Sequence, residues 1–306
     1  MKMSDHSRPL KFENREDREG PRILRRLPEG LEERPYQLFE VKPLSPIIGA
    51  EIVGLDLAKP VTPEVQAELN RALLEWKVLF FRNQPITSEQ LLAFARQWGE
   101  LEIHPFYINK HSKEIVQFAR DKKQAGSENI WHTDVTFRAN PAKACILRMI
   151  EVPPVGGDTL WADMGAAYDN LPDEIKERID GLTALHDFTP SFSHLLSPEE
   201  LAAKQAEFPP VEHPVVRTHP ETRRKTLFVN PAFTTRIPGL EPEESEKLLQ
   251  YLFRQAHIPE YQVRFHWEVN SVAFWDNRAT QHYAVSDYYP HPRKAERVAI
   301  VGDRPF

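Results

Sequence analysis

The sequence predicts a mainly β fold with α additions, a double-stranded β-helix (jelly roll) core carrying helices around it. Three observations predict it. Runs of strand length dominate both flanks of the chain, with helical patterns inserted between and around them. Pro supplies 27 of the 306 residues, nearly twice the usual share of about 5%, which favours loops and short strands over a helical bundle. No period of about 20–50 residues repeats, which excludes a solenoid or propeller. Two packed sheets fit this pattern better than alternating βαβ units.

The elements follow in order. Residues 1–35 are rich in charge and breakers and poor in apolar periodicity, so they are expected to form a disordered or loosely docked arm before a single domain over 36–306. "FEVKPLSPIIGAEIVGLDL" (Phe39 to Leu57) mixes strand runs with Pro and Gly turns. Thr62-Pro63 is an N-cap and N1 pair for a helix whose apolar face is Val65, Leu69, Leu73 and Leu74. "KVLFFRNQ" (Lys77 to Gln84) is a continuous apolar run of strand length and reads as a buried strand. Thr87 with Gln90 makes a capping box for a helix carrying Leu91, Leu92, Phe94, Ala95 and Trp98. Short strands and loops fill Ile115 to Trp161. Helical patches follow at Pro172 to Ile179, Ser197 to Glu207 and Glu243 to Gln255. The last fifty residues return to strand character in "YQVRFHWEV", "SVAFWD", "QHYAVSDYY" and "RVAIVGD".

Composition narrows the function. The net charge of −6 lacks the basic stripe that nucleic-acid binding needs. No apolar run approaches the ~18 residues of a membrane span, and the N-terminus has no signal-like apolar stretch. Cys145 is the single cysteine, so no intrachain disulfide forms. A cytoplasmic chain with neither nucleic-acid nor membrane partner is expected.

The segment "NIWHTDVTF" (Asn129 to Phe137) places His132 and Asp134 two residues apart in a strand-favouring run. On a strand that spacing aims both side chains at one face. A lone HxD is commonly two polar residues on a surface strand, and a metal site needs a third ligand. Of the 12 histidines, His213 and His219 in "EHPVVRTHP" read as turn or edge residues beside prolines. His282 differs, because a dense aromatic strand and a polar turn precede it and Arg293 and Arg297 follow. Two histidines and one carboxylate leave three positions open on an octahedral metal, which suits non-haem Fe(II) oxygen chemistry. A structural zinc would need a fourth protein ligand. A catalytic zinc hydrolase with the same three residues stays open on composition alone, and a non-catalytic metal-binding barrel that senses a ligand is a third reading.

Six blocks then appear in one order: "WHTDVTF", "GGDTLW" (Gly156 to Trp161), "HPVVRTHP", "LFVNPAFTTRI" (Leu227 to Ile237), "WDNRATQHYA" (Trp275 to Ala284) and "GDRPF" (Gly302 to Phe306). Together they resemble the taurine/2-oxoglutarate dioxygenase family from about residue 39 to the C-terminus. The resemblance implies Fe(II), 2-oxoglutarate as cosubstrate and O2, with His132, Asp134 and His282 as iron ligands. It implies that Thr159 and Arg293 hold the distal carboxylate of 2-oxoglutarate. It further implies that Arg297, His104 and the backbone N–H of Val135 receive a sulfonate, with Tyr107, Phe192 and Phe233 around the substrate's carbon chain. The implied reaction hydroxylates the carbon next to sulfur of taurine or a related alkanesulfonate, releasing sulfite, an aldehyde, succinate and CO2. An alkyl sulfate ester or a carboxylate-bearing substrate would use the same chemistry. A homodimer or homotetramer is the assembly the resemblance implies.

One departure stands out. Taurine-specific members carry an Asp/Asn-rich stretch before the HxD motif that receives the substrate's ammonium. Here "AGSENIWHTD" has Ser127, Glu128 and Asn129. Glu128 either meets an ammonium directly or faces solvent.

Overall fold

The computed structural model describes residues 22–27, 30–107, 109, 112–126 and 128–306. Its largest sheet has seven strands in the spatial order Glu40–Pro43, Ala50–Val53, Val78–Phe81, Val272–Asp276, Ala142–Glu151, Arg293–Val301 and Val116–Arg120. All neighbours are antiparallel except Ala50–Val53 with Val78–Phe81. A second antiparallel sheet orders Gln262–Phe265, Thr159–Asp163 and Thr280–Ala284. The chain alternates between the two: Ala142–Glu151 crosses to Thr159–Asp163, and Val272–Asp276 crosses to Thr280–Ala284 before returning in Arg293–Val301. That alternation is the jelly roll the sequence predicts. It also brings residues from four distant segments to one end of the sandwich.

The apolar run around Phe80 explains the layering. Val78–Phe81 is buried at all four positions, and successive side chains leave a strand on opposite faces. Val78 and Phe80 enter the core between the sheets with Cys145, Trp161, Val263, Phe265 and Trp275. Phe80 stacks on Phe265 with ring centroids 3.9 Å apart. Leu79 and Phe81 enter a second core on the outer face with Leu69, Leu73, Leu91, Phe94, Phe274 and Ile300. Truncating a ring buried on this scale costs about 3–5 kcal/mol.

Two helices cover that outer face. Thr62 accepts from the Val65 N–H at the start of Pro63–Trp76. Thr87 and Gln90 form the expected capping box at the start of Ser88–Arg96. Ser197 and Glu200 make a second capping box for Pro198–Glu207. The C-cap Lys77 lies in the left-handed region at φ 63°. Its buried ammonium donates to the carbonyls of Arg26, Ile47 and Glu75.

The arm expected over 1–35 lies outside the described residues as far as 21. Ile23 and Arg26 contact the rest of the fold. Arg26 pairs with Glu75 at 2.8 Å, and the Asn170 side chain exchanges hydrogen bonds with the backbone of Ile23. Among the described residues no helix is long and apolar enough to cross a membrane.

Two local expectations are corrected. The strand predicted through "NIWHTDVTF" is only an isolated bridge between His132 and His282, after which Asp134 opens a turn. The strand in "QHYAVSDYY" ends at Ala284. His213 and His219 hold the expected edge and turn positions, His213 on the edge strand Val211–Pro214 and His219 before the turn at 220–222, yet both are buried, and His219 Nε2 donates to Asp276 Oδ2 at 2.9 Å.

Candidate metal centre and adjoining pocket

The bridge between His132 and His282 consists of two reciprocal backbone hydrogen bonds, His132 N–H to the His282 carbonyl at 3.0 Å and the reverse at 2.8 Å. Pairing sets their rings side by side, with centroids 4.1 Å apart. Asp134 is reached across the following turn rather than along a strand. Its Oδ1 lies 3.5 Å from His132 Nε2 and 4.0 Å from His282 Nε2. Among the described residues these three form the one group of ligand-type side chains, with donor atoms within 4.8 Å of one another.

The protonation states suit a cation. His132 Nδ1 sits 2.9 Å from the Ile130 carbonyl, which can only accept, so Nδ1 carries the proton and Nε2 presents its lone pair. Burial, then the neighbouring His132, holds the pKa of His282 well below the usual histidine range. Burial alone would raise Asp134, but Arg297 beside it, then His282, holds its carboxyl well below the usual range. Two imidazoles with Nε2 turned toward an ionised carboxylate therefore fit a divalent metal with open positions.

Two contacts orient the carboxylate. Cys145 Sγ lies 3.1 Å from Asp134 Oδ2 and donates to it. Arg297 Nη1 donates to Oδ1. Arg297 thus pairs with neither Glu296, which holds Arg148, nor Asp303, which holds Arg217.

A cavity of about 540 Å³ opens beside this site, a size that holds a cosubstrate and a small organic molecule together. His104, Tyr107, Val135, Thr159, Phe192, Phe233, Arg293 and Arg297 all line it with the three metal candidates. At one end Arg293 is buried. Its Nε donates to the Gly157 carbonyl at 3.2 Å, and among the described residues no carboxylate lies within salt-bridge reach of it. The "GG" of "GGDTLW" is needed here: Gly157 has φ +70°, and a Cβ on it would meet Arg293 Cδ at 3.2 Å and Pro153 Cγ at 3.0 Å. Thr159 Oγ1 accepts from Trp267 Nε1 at 2.9 Å, which leaves its own hydroxyl hydrogen to donate.

At the other end His104 is a donor without being a cation. Its Nδ1 accepts from the N–H groups of Phe106 and Tyr107, both at 3.2 Å, so Nε2 carries the proton. Burial, then the neighbouring Arg297, pushes its pKa down to about 3. The aromatic residues sit together, Phe192 lying 5.7 Å from the His104 ring, 5.8 Å from Tyr107 and 5.9 Å from Phe233. Ile130 and Leu195 also line the cavity and are partly open to solvent.

Sequence reading missed three features. Glu128 lines the cavity but donates its charge to an ion pair with Arg120, which lines it too; Ser127 lies outside the described residues. Cys145 entered the reading only as a redox count. Asn277 was quoted inside "WDNR" without a role, although its buried amide holds the backbone of Asp134. No spacing rule signals any of these, because each partner is more than seven residues away in sequence.

Residues 40–299 match the family described as "Taurine catabolism dioxygenase TauD, TfdA family". The chain is 38% identical over 283 residues to the alpha-ketoglutarate-dependent sulfate ester dioxygenase of Pseudomonas putida, covering 89% of this chain and 92% of that protein. It is 35% identical over 279 residues to the alkylsulfatase of Acinetobacter baylyi, covering 89% and 87% respectively. The crystal structure of a taurine dioxygenase from Burkholderia xenovorans matches with a TM-score of 0.76 and 41% identity, covering 88% of this chain and 91% of that one.

Proposed function

Because this chain belongs to the TauD/TfdA family of Fe(II)- and 2-oxoglutarate-dependent dioxygenases, we propose that its prime substrate is an alkyl sulfate ester with an uncharged carbon tail. Oxidation falls on the carbon next to the ester oxygen. The enzyme depends on Fe(II), 2-oxoglutarate and O2. In this reading His132, Asp134 and His282 hold the iron, and bound iron with 2-oxoglutarate supplies O2 activation.

The remaining tasks belong to the chain's own residues. Arg293 and the Thr159 hydroxyl receive the distal carboxylate of 2-oxoglutarate, a charge-assisted clamp suited to a planar anion. Arg297, the Nε2–H of His104 and the main-chain N–H of Val135 receive the sulfate headgroup. Holding the headgroup fixes which C–H faces the metal corner. Tyr107, Phe192 and Phe233 enclose the first carbons and exclude water, while Ile130 and Leu195 flank the outgoing tail. One oxygen atom enters the C–H bond and the other enters succinate as CO2 leaves. The hydroxylated carbon still bears the sulfate oxygen, so it collapses to an aldehyde with loss of sulfate and a proton.

The observation that carries this reading is the Arg120–Glu128 ion pair on the cavity wall. The carboxylate that taurine's ammonium would need already has a guanidinium partner; at the headgroup end Arg297 is shared with Asp134, and the Nε2–H of His104 remains as a donor. The names of the Pseudomonas and Acinetobacter relatives support the same substrate class. Taurine or another alkanesulfonate is the second reading, favoured by the Burkholderia structure; it would release sulfite in place of sulfate. The test supplies Fe(II), 2-oxoglutarate and air with hexyl sulfate, hexanesulfonate or taurine, and measures succinate, sulfate and sulfite together. Equal succinate and sulfate from hexyl sulfate is the expected result. Sulfite from taurine at higher kcat/KM would overturn the ester in favour of the sulfonate.

A further inference from the structure

We propose that His213 is a positioning residue for substrate binding: from outside the pocket it fixes the turn that carries Val135. The proposal rests on the reading of that corner as the site of the anionic headgroup. Val135 lines the cavity, is buried, and has φ +50°. For a β-branched residue this is an outlying backbone conformation, and it persists only where the surroundings over-determine it.

The surroundings do so from both ends of the turn. At the upstream end Asn277 Oδ1 accepts from the Asp134 N–H at 2.9 Å, and its Nδ2 donates to the carbonyls of Asp134 at 3.1 Å and Ala142 at 2.9 Å. At the downstream end His213 Nε2 lies 2.9 Å from the carbonyls of both Thr136 and Arg138. Both are acceptors only, so Nε2 carries the proton and forks between them. Between the two, Thr136 Oγ1 accepts from Asn230 Nδ2 at 3.1 Å and lies 2.9 Å from His186 Nδ1. His213, His186 and Asn230 are buried and none of them lines the cavity. Their influence on a bound anion therefore runs through the main chain of Val135. Without the forked N–H, the buried Thr136 carbonyl and the half-buried Arg138 carbonyl lose this donor and the turn is free to relax toward ordinary φ, withdrawing the Val135 N–H from the headgroup.

The test uses the full-length iron-loaded enzyme with His213→Leu, which keeps bulk and removes the donor, and His213→Gln, whose amide nitrogen reaches the place of Nε2. We expect the Leu variant to raise KM for hexyl sulfate by about tenfold or more, the loss of one buried hydrogen-bond donor. The 2-oxoglutarate KM should stay within about twofold of wild type and the Gln variant should recover most of the loss. A second readout needs no turnover: amide hydrogen exchange across 131–138 should quicken in the Leu variant and return toward wild type in the Gln variant. Thr136→Val, which removes only the hydroxyl, should shift KM the same way and stands in if the Leu variant does not fold. Unchanged hexyl sulfate KM in the folded variants, or equal losses in both KM values and kcat, overturns the proposal. Failure of the ester reading shows separately in the wild type, as no sulfate from hexyl sulfate. The KM comparison then moves to whichever of hexanesulfonate or taurine is turned over, and if neither is, the exchange data decide.

Discussion

Replacing Arg293 by alanine gives the sharpest separation between binding and stability. The guanidinium is buried, its Nε donates to the neutral Gly157 carbonyl at 3.2 Å, and among the described residues no carboxylate is in salt-bridge reach. Burial accordingly presses its pKa downward. In the absence of a dicarboxylate this buried cation has only the longer-range attraction of Glu128 and Asp158, so its removal should leave the melting temperature unchanged or raise it. With 2-oxoglutarate bound the same charge is paired, and losing one partner of such a pair costs roughly 2–5 kcal/mol. At about 1.4 kcal/mol per tenfold, that is roughly a 30-fold to several-thousand-fold loss of affinity. Because the cavity connects to solvent, the effect should fall toward the lower end of that range. The assay is succinate formation against 2-oxoglutarate concentration at saturating hexyl sulfate, with calorimetric titration of 2-oxoglutarate alongside. Arg293→Lys keeps the charge but loses the planar fork and should fall between wild type and alanine. A half-saturating 2-oxoglutarate concentration within about threefold of wild type in Arg293→Ala would refute the reasoning. So would a marked drop in melting temperature with normal cosubstrate dependence, which would make Arg293 a structural residue.

Three further outcomes are expected. Arg297→Ala should weaken hexyl sulfate by tens- to thousands-fold, again on roughly 2–5 kcal/mol for a buried charge partner, and unchanged sulfate release would remove Arg297 from the headgroup site. Arg120→Met takes the guanidinium from Glu128, so kcat/KM for taurine should rise about tenfold relative to hexyl sulfate, from about 1.5 kcal/mol for a charged hydrogen bond to the ammonium; an unchanged ratio would show that Glu128 does not face the substrate. Stability should fall on mild acidification. Burial pushes the folded-state pKa of His104 down to about 3 and that of His213 to about 4, below the unfolded value of about 6.5. The unfolded chain then binds more protons, so their contribution is complete above about pH 6.5 and drains away toward pH 4, at up to about 1.4 kcal/mol per pH unit for each histidine. Urea unfolding at about pH 7 and pH 5 checks this, and His213→Gln should lessen the slope; equal stabilities at both pH values would contradict it.

The sequence alone determined the features that depend on near neighbours. The capping pairs Thr87 with Gln90 and Ser197 with Glu200 act over three residues, and both helices begin where those pairs stand. The apolar run of Val78–Phe81 needed burial on both faces and received it. The eleven site residues that the resemblance implied all line one cavity. Tertiary structure decided what depends on partners distant in the chain. His132 and Asp134 converge because pairing with His282 and a turn held by Asn277 place them, not because a strand alternates. Glu128 is neutralised by an arginine eight residues earlier, across a loop. His213 is drawn inside by pairing with the strand Thr183–His186, where its one N–H serves two carbonyls more than seventy residues away. A charge or an imidazole written in a sequence states what it can offer. Which groups take the offer is set by distances of a few ångströms that exist only after the sheets have closed.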